Sequence, residues 1–276
     1  MPRANANGIE IEYETFGDPL AAPLLLIAGL GAQMISWDED FCGLLASRGF
    51  RVIRFDNRDA GRSTWVEAAY TLDDMAADAA ALLESLDIPA AHVVGASMGG
   101  FIAQLVALDH PDRVLTLTSI MSGPSGEEHV QPTERGRAVL FVPAPETREQ
   151  RVEVGVWAKK ELLGPADPFD DTYERARIER AVDRAYHPAG FVRQLQAIAA
   201  APGRLERLRS LRAPALVIHG DADILVPVEN GRHVAAAIPG ARLVEIEGMG
   251  HDVPKRVWAQ VADEIAAIAR QSAATC

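Results

Sequence analysis

Apolar and polar positions along this 276-residue chain follow two periods that take turns. In residues 9–14, Ile9, Ile11 and Tyr13 alternate with Glu10, Glu12 and Glu14, which predicts a strand with one face in the core and one in water. Asn7-Gly8 just before it is a hairpin turn signal, because both residues accept a positive φ. Residues 24–27 are continuously apolar, the pattern of a strand buried on both faces. Ser36-x-x-Glu39 predicts a capping box opening a helix through Leu45, with Gly49 just past its end. Residues 51–55 form the next strand, and Thr71 caps a helix running to about residue 86 and stopping before Pro89. A strand over 92–96, a helix over 98–109 ended by Pro111, and a strand over 114–121 follow.

From residue 123 to about 210 the pattern changes. Helix formers and charges dominate, prolines interrupt them, and no buried-strand run occurs. The alternation then resumes with a strand over 215–219, a helix near 229–238, a strand over 242–246 and a last helix after Pro254. Alternating strands and helices imply an α/β fold with a mostly parallel, doubly wound sheet. With no linker or repeat setting it apart, the helical stretch reads as an inserted cap. The expected division is core 1–122, helical cap 123–210 and core 211–276.

Charge and composition narrow the partners. Lys and Arg number 27 against 39 Asp and Glu, a net charge of −12, which argues against nucleic acid because phosphate binding needs a basic patch. No apolar run approaches the roughly 18 residues that span a bilayer, so no membrane partner is expected. The start, MPRANANG, lacks the apolar stretch of a signal peptide. Cys42 and Cys276 offer no disulfide framework and read as free thiols in a reducing cytoplasm.

The chemistry gathers around "HVVGASMGG". Gly95-Ala96-Ser97-Met98-Gly99 matches G-x-S-x-G where a strand passes into a helix. Such a sharp turn forces a positive φ on the serine, and the glycines let strand and helix approach where a Cβ would clash. The serine oxygen then stands at the positive end of a helix, a position that suits a nucleophile. A glycine-rich turn that only joins two elements is the competing reading.

A serine hydroxyl needs a base, and the base an orienting acid. His92, His110, His129, His187, His219 and His233 lie in strands, beside a proline or in polar stretches, and read as structural or solvated. His251 follows Gly248-Met249-Gly250 directly after the last strand, on a loop at the carboxyl edge of the sheet. For the acid, Asp223 in Gly220-Asp221-Ala222-Asp223 follows the preceding strand and is favoured over Asp221. No second acidic or histidine cluster with ligand spacing accompanies it, so no metal is expected.

With Ser97, Asp223 and His251 in that order, the chain resembles the α/β-hydrolase superfamily over nearly its whole length. Ala28-Gly29-Leu30-Gly31 matches the oxyanion loop, with Ala28 where the family usually has histidine. Asp56-x-Arg58-x-x-Gly61-Arg62-Ser63 matches the turn after the next strand, and Gly248-Met249-Gly250-His251 the histidine loop. "FDNRDAGRS", "HVVGASMGG" and "IEGMGH" together resemble the aclacinomycin methylesterase-like branch of capped serine esterases.

The resemblance implies an oxyanion hole made by the Leu30 and Met98 amides, with Asp56 and Arg58 as loop scaffolding. It implies hydrolysis of a small-molecule carboxylic ester or lactone through an acyl-enzyme, with no metal or organic cofactor. Perhydrolase (cofactor-free haloperoxidase) and C–C bond hydrolase activities use the same triad in related families. Haloalkane dehalogenation and epoxide hydrolysis need a carboxylate nucleophile, against which Ser97 argues. A ligand receptor or scaffold on the same fold commonly lacks triad members, and all three are present here. Met34, Phe141, Trp157, Phe191 and Leu225 are the apolar candidates for substrate binding, although core packing competes for Phe141 and Phe191. Residues 124–201 are expected to select the substrate and to contribute no catalytic group.

Overall fold

The apolar runs become strands of one eight-stranded sheet in the computed structural model, which describes residues 1–273. Cys276 lies outside the described residues. In chain order the elements are β1 (Arg3–Ala6), β2 (Ile9–Phe16), β3 (Ala22–Ile27), α1 (Glu39–Ser47), β4 (Phe50–Phe55), α2 (Leu72–Ser85), β5 (Ala91–Ala96), α3 (Met98–Asp109) and β6 (Val114–Ile120). The helices α4 (Glu134–Leu140), α5 (Arg148–Leu162), α6 (Asp171–Arg184), α7 (Pro188–Ala200) and α8 (Leu205–Leu208) follow without an intervening strand. The sheet then resumes with β7 (Ala215–Gly220), α9 (Glu229–Ala237), β8 (Arg242–Ile246) and α10 (Trp258–Ala273).

Across the sheet the order is β1-β2-β4-β3-β5-β6-β7-β8. The two β2 pairings are antiparallel and the others parallel, so β3 through β8 end on one edge. Period-two alternation along β3 explains its unbroken apolar run. Leu25 and Ile27 pack with α2 and α3 on one face, while Leu24 and Leu26 pack with α1 and α10 on the other. Both faces are covered, which is why the central strands carry no polar alternation. The Cys42 thiol is free and buried on the α1 face, and burial pushes its pKa up to about 12.

Two local expectations are corrected. Ser36 does not open α1: its amide bonds to Gln33 O at 2.9 Å in a short 3₁₀ turn, and Asp38 is the cap, accepting from Asp40 N at 2.9 Å. A carboxylate one residue before Glu39 satisfies the helix start better than a hydroxyl three residues away. Glu12, expected to face water, is buried, with Arg184 Nη2 at 2.9 Å and Arg3 Nε at 3.6 Å. A salt partner from α6 makes that burial tolerable. Thr71 does cap α2, in a reciprocal box with Asp74.

Candidate active site

Ser97 sits between β5 and α3 with φ 55° and ψ −121°. Left-handed backbone at a residue with a side chain is strained, and the surrounding packing must hold it. An added Cβ at Gly95 would run into the Gly99 carbonyl, and one at Gly99 into the Ile27 carbonyl. The glycines therefore permit the crossing that presents the serine, as their spacing predicts.

Asp223 follows β7 and His251 follows β8, both at the carboxyl edge of the sheet. His251 Nε2 lies 2.9 Å from Ser97 Oγ, and His251 Nδ1 lies 2.7 Å from Asp223 Oδ2. A carboxylate accepts only, so Nδ1 carries the proton and Nε2 is free to accept from the serine. The other carboxylate oxygen accepts from Leu225 N at 2.9 Å and Val226 N at 2.8 Å. Burial alone would raise the Asp223 pKa. The positive charge that His251 can carry and hydrogen bonds from His219 and His251 outweigh it and hold the carboxyl well below the usual range. Asp221, the competing acid, instead accepts from Gly248 N at 2.7 Å and ties down the loop that carries His251.

His219, which the sequence marks as structural or solvated, is buried beside the acid. Its Nε2–H donates to Val226 O at 2.7 Å and lies 3.4 Å from Asp223 Oδ2, with the ring fully buried. Its sequence signal was slight: a polar residue ending an apolar strand four positions before the aspartate.

The loop after β3 approaches the serine closely. A Cβ on Gly29 would lie 3.3 Å from Ser97 Cβ. Among the described residues, no protein acceptor takes the Leu30 or Met98 amide proton. Asn57 Nδ2 donates to Ala28 O at 3.0 Å, a support for the loop where position 28 has no polar side chain. Asp56 and Arg58 are scaffolding as expected. Asp56 accepts from Met34 N and Arg62 N at 2.7 and 2.9 Å, and Arg58 forks onto Asp78 at 2.6 Å through two nitrogens.

A cavity of about 260 Å³ opens beside Ser97 and His251. Of the apolar candidates from the sequence, Phe191 and Leu225 line it, together with Leu30. Three other candidates do not. Met34 is fully buried away from it. Phe141 is 65 % exposed at the end of α4, and the preceding Val139 and Leu140 face the cavity instead. Trp157 lies roughly 100° around α5 from buried Val156 and is half-exposed. Met98 is buried and its side chain does not line the cavity.

The sequence did not single out the aromatic wall of Trp37, Phe41 and Trp258. Phe41 lies 5.9 Å from Trp37 and 5.7 Å from Trp258, ring centre to ring centre. Arg177, Asp38 and Asp252 make one part of the lining polar. Burial would raise the Asp38 pKa, but the Tyr173 hydroxyl at 2.6 Å, the Asp40 amide and the nearby Arg177 and Lys255 charges bring it below its ordinary value.

A search of family models matches residues 22–254 to the alpha/beta hydrolase fold. The chain belongs to that family. Among curated proteins it is 38% identical to rhodomycin D methylesterase DnrP of Streptomyces peucetius, covering 93% of this chain and 94% of the relative. Among solved structures it is similar to the enol-lactonase of Burkholderia xenovorans LB400, with TM-score 0.78, 25% identity, and 99% and 100% of the two chains covered. The meta-cleavage product hydrolase CumD of Pseudomonas fluorescens IP01 shares the fold, with TM-score 0.80 at 21% identity over 99% of this chain and 98% of that one.

Proposed function

We propose that this α/β-hydrolase is a serine esterase that cleaves a carboxylic ester or lactone with a small to medium apolar body. The supporting observation is the unbroken chain of hydrogen bonds from Ser97 through His251 to Asp223, beside two amides with no acceptor among the described residues. The relatives' names agree with ester and lactone chemistry. In this reading residues 1–122 and 211–276 form the catalytic core, and 123–210 the cap that shapes the cavity.

Ser97 Oγ attacks the ester carbonyl while His251 Nε2 takes its proton. The Leu30 and Met98 amides donate to the developing oxyanion, and losing one such donor costs about 2.7–4 kcal/mol. His251 returns the proton to the departing alkoxide as the C–O bond breaks, leaving an acyl-enzyme. Water then attacks with His251 again as base, releasing the acid and restoring Ser97. Asp223 fixes the tautomer and stabilises the imidazolium throughout.

The test is Ser97→Ala. The variant should keep the fold and lose p-nitrophenyl ester hydrolysis by on the order of 10⁴-fold or more. Turnover near that of the unaltered protein would assign the serine a structural role.

A further inference from the structure

The cap was expected to select substrate and leave the chemistry to the core. One contact crosses that division. Gln194, on α7, is fully buried. Its Oε1 accepts from Gly31 N at 2.8 Å, and its Nε2 donates to Arg58 O at 2.8 Å. One amide side chain from the cap thus joins the loop carrying Leu30 to the turn after β4.

That loop is a tight turn. Ala32 N donates to Gly29 O at 3.2 Å, and Gly31 has φ +66°. Positive φ at the third residue is what a type II turn requires, and such a turn differs from type I by a flip of its central peptide. The central peptide here is Leu30–Gly31, and its N–H is the group that Gln194 Oε1 holds. One helical turn earlier, Phe191 packs on the same glycine: a Cβ at Gly31 would lie 2.7 Å from Phe191 Cδ2. Beyond the turn, Gln33 Nε2 donates to Ala181 O at 2.7 Å and Ala185 O at 2.9 Å, at the end of α6. The histidine loop is held likewise, with His251 N donating 2.8 Å to Leu162 O at the end of α5.

We propose that Gln194 is a positioning residue: from the cap, its hydrogen bond to Gly31 fixes the turn that presents the Leu30 amide to the oxyanion, so cap seating and oxyanion-hole assembly are one event. The proposal rests on the esterase reading above. It predicts that Gln194 acts on the transition state and not on substrate binding. Uniform loss of kcat, with KM held, is the signature of an interaction made only in the transition state.

The experiment compares Gln194→Leu with the unaltered protein on p-nitrophenyl esters of several acyl lengths. It also measures inhibition by an alkyl boronic acid, which forms a tetrahedral adduct with an active serine. Expected are a fall in kcat of roughly tenfold or more at every acyl length, KM within about twofold, and boronate affinity falling in parallel. The loss should stay at or below the roughly 10²–10³ seen when an oxyanion donor is removed outright. Unchanged kcat, or a change confined to KM or to particular acyl lengths, overturns the proposal. Where Gln194→Leu fails to fold, Gln194→Asn carries the same test, because it keeps an amide but draws it back by one methylene. Ser97→Ala separates this inference from the reading beneath it. If Ser97→Ala is inactive while the Gln194 variants keep full kcat, only the positioning role falls. If Ser97→Ala remains active, both fall.

Discussion

At the scale of single residues, the acid is where two chemically equal candidates receive different work. Asp223 and Asp221 are two positions apart, and both follow β7. Asp223 is buried with both oxygens occupied, one by His251 and the other by two backbone amides. Asp221 is exposed and spends an oxygen on Gly248 N. Asp223→Asn should therefore lower kcat by on the order of 10⁴-fold, because the amide favours the wrong imidazole tautomer. Asp221→Asn should cost much less, since it loosens the loop without touching the ring. Steady-state kcat of both variants on one p-nitrophenyl ester decides the matter, and the reverse ranking would move the acid to Asp221. The charge that His251 can carry, joined by His219 3.4 Å from the same Asp223 oxygen, keeps this buried carboxylate ionised.

At the scale of elements, the sequence shows most where a signal is local. The bounds of α3 and β8 match the residues that periodicity assigns, because the strand and helix periods lie within the segments themselves and Pro111 stands just past the end of α3. The G-x-S-x-G elbow was legible for the same reason. The cavity wall was not, because it is assembled from distant elements. Phe41 meets Trp258 across more than two hundred positions, and Gln194 meets Gly31 across 163. Helical phase then decided between neighbours: α5 turns Trp157 outward while Val156 is buried, and α4 ends with Phe141 outside while Leu140 lines the cavity. Phe191→Ala should accordingly change the ratio of kcat/KM between short and long acyl esters. One methylene of mismatch is worth roughly 1–3 kcal/mol in an apolar pocket. Trp157→Ala should leave that ratio where it was. A shift produced by Trp157→Ala and not by Phe191→Ala would mean that the cavity beside Ser97 does not hold the acyl chain.

At the scale of the whole molecule, burial of titratable groups links folding to pH. His92 on β5 is buried, its Nδ1 2.9 Å from Thr116 Oγ1 and its ring edge-on to Phe50 at 5.5 Å. Burial pushes its pKa down to about 4. His129 is held at about 4 as well, first by burial and then by the Arg204 and His219 charges. An unfolded histidine titrates near about 6.5. Between that value and about 4 the unfolded chain takes up protons that these folded rings refuse, so stability falls as pH drops through this window. Above it both states are neutral at these positions and their contribution is fully present. The carboxylates held low, such as Asp59 with Arg193 Nε at 2.7 Å, have the same sign of effect but lose theirs at lower pH. Replacing His92 with glutamine keeps a polar partner for Thr116 and removes one titrating group. Urea midpoints of the unaltered protein and His92→Gln at pH 7 and pH 5 should diverge, the variant losing about 2 kcal/mol less on acidification. Parallel losses would mean that His92 binds its proton equally well folded and unfolded, and the acid sensitivity of the fold would then have to come from other groups.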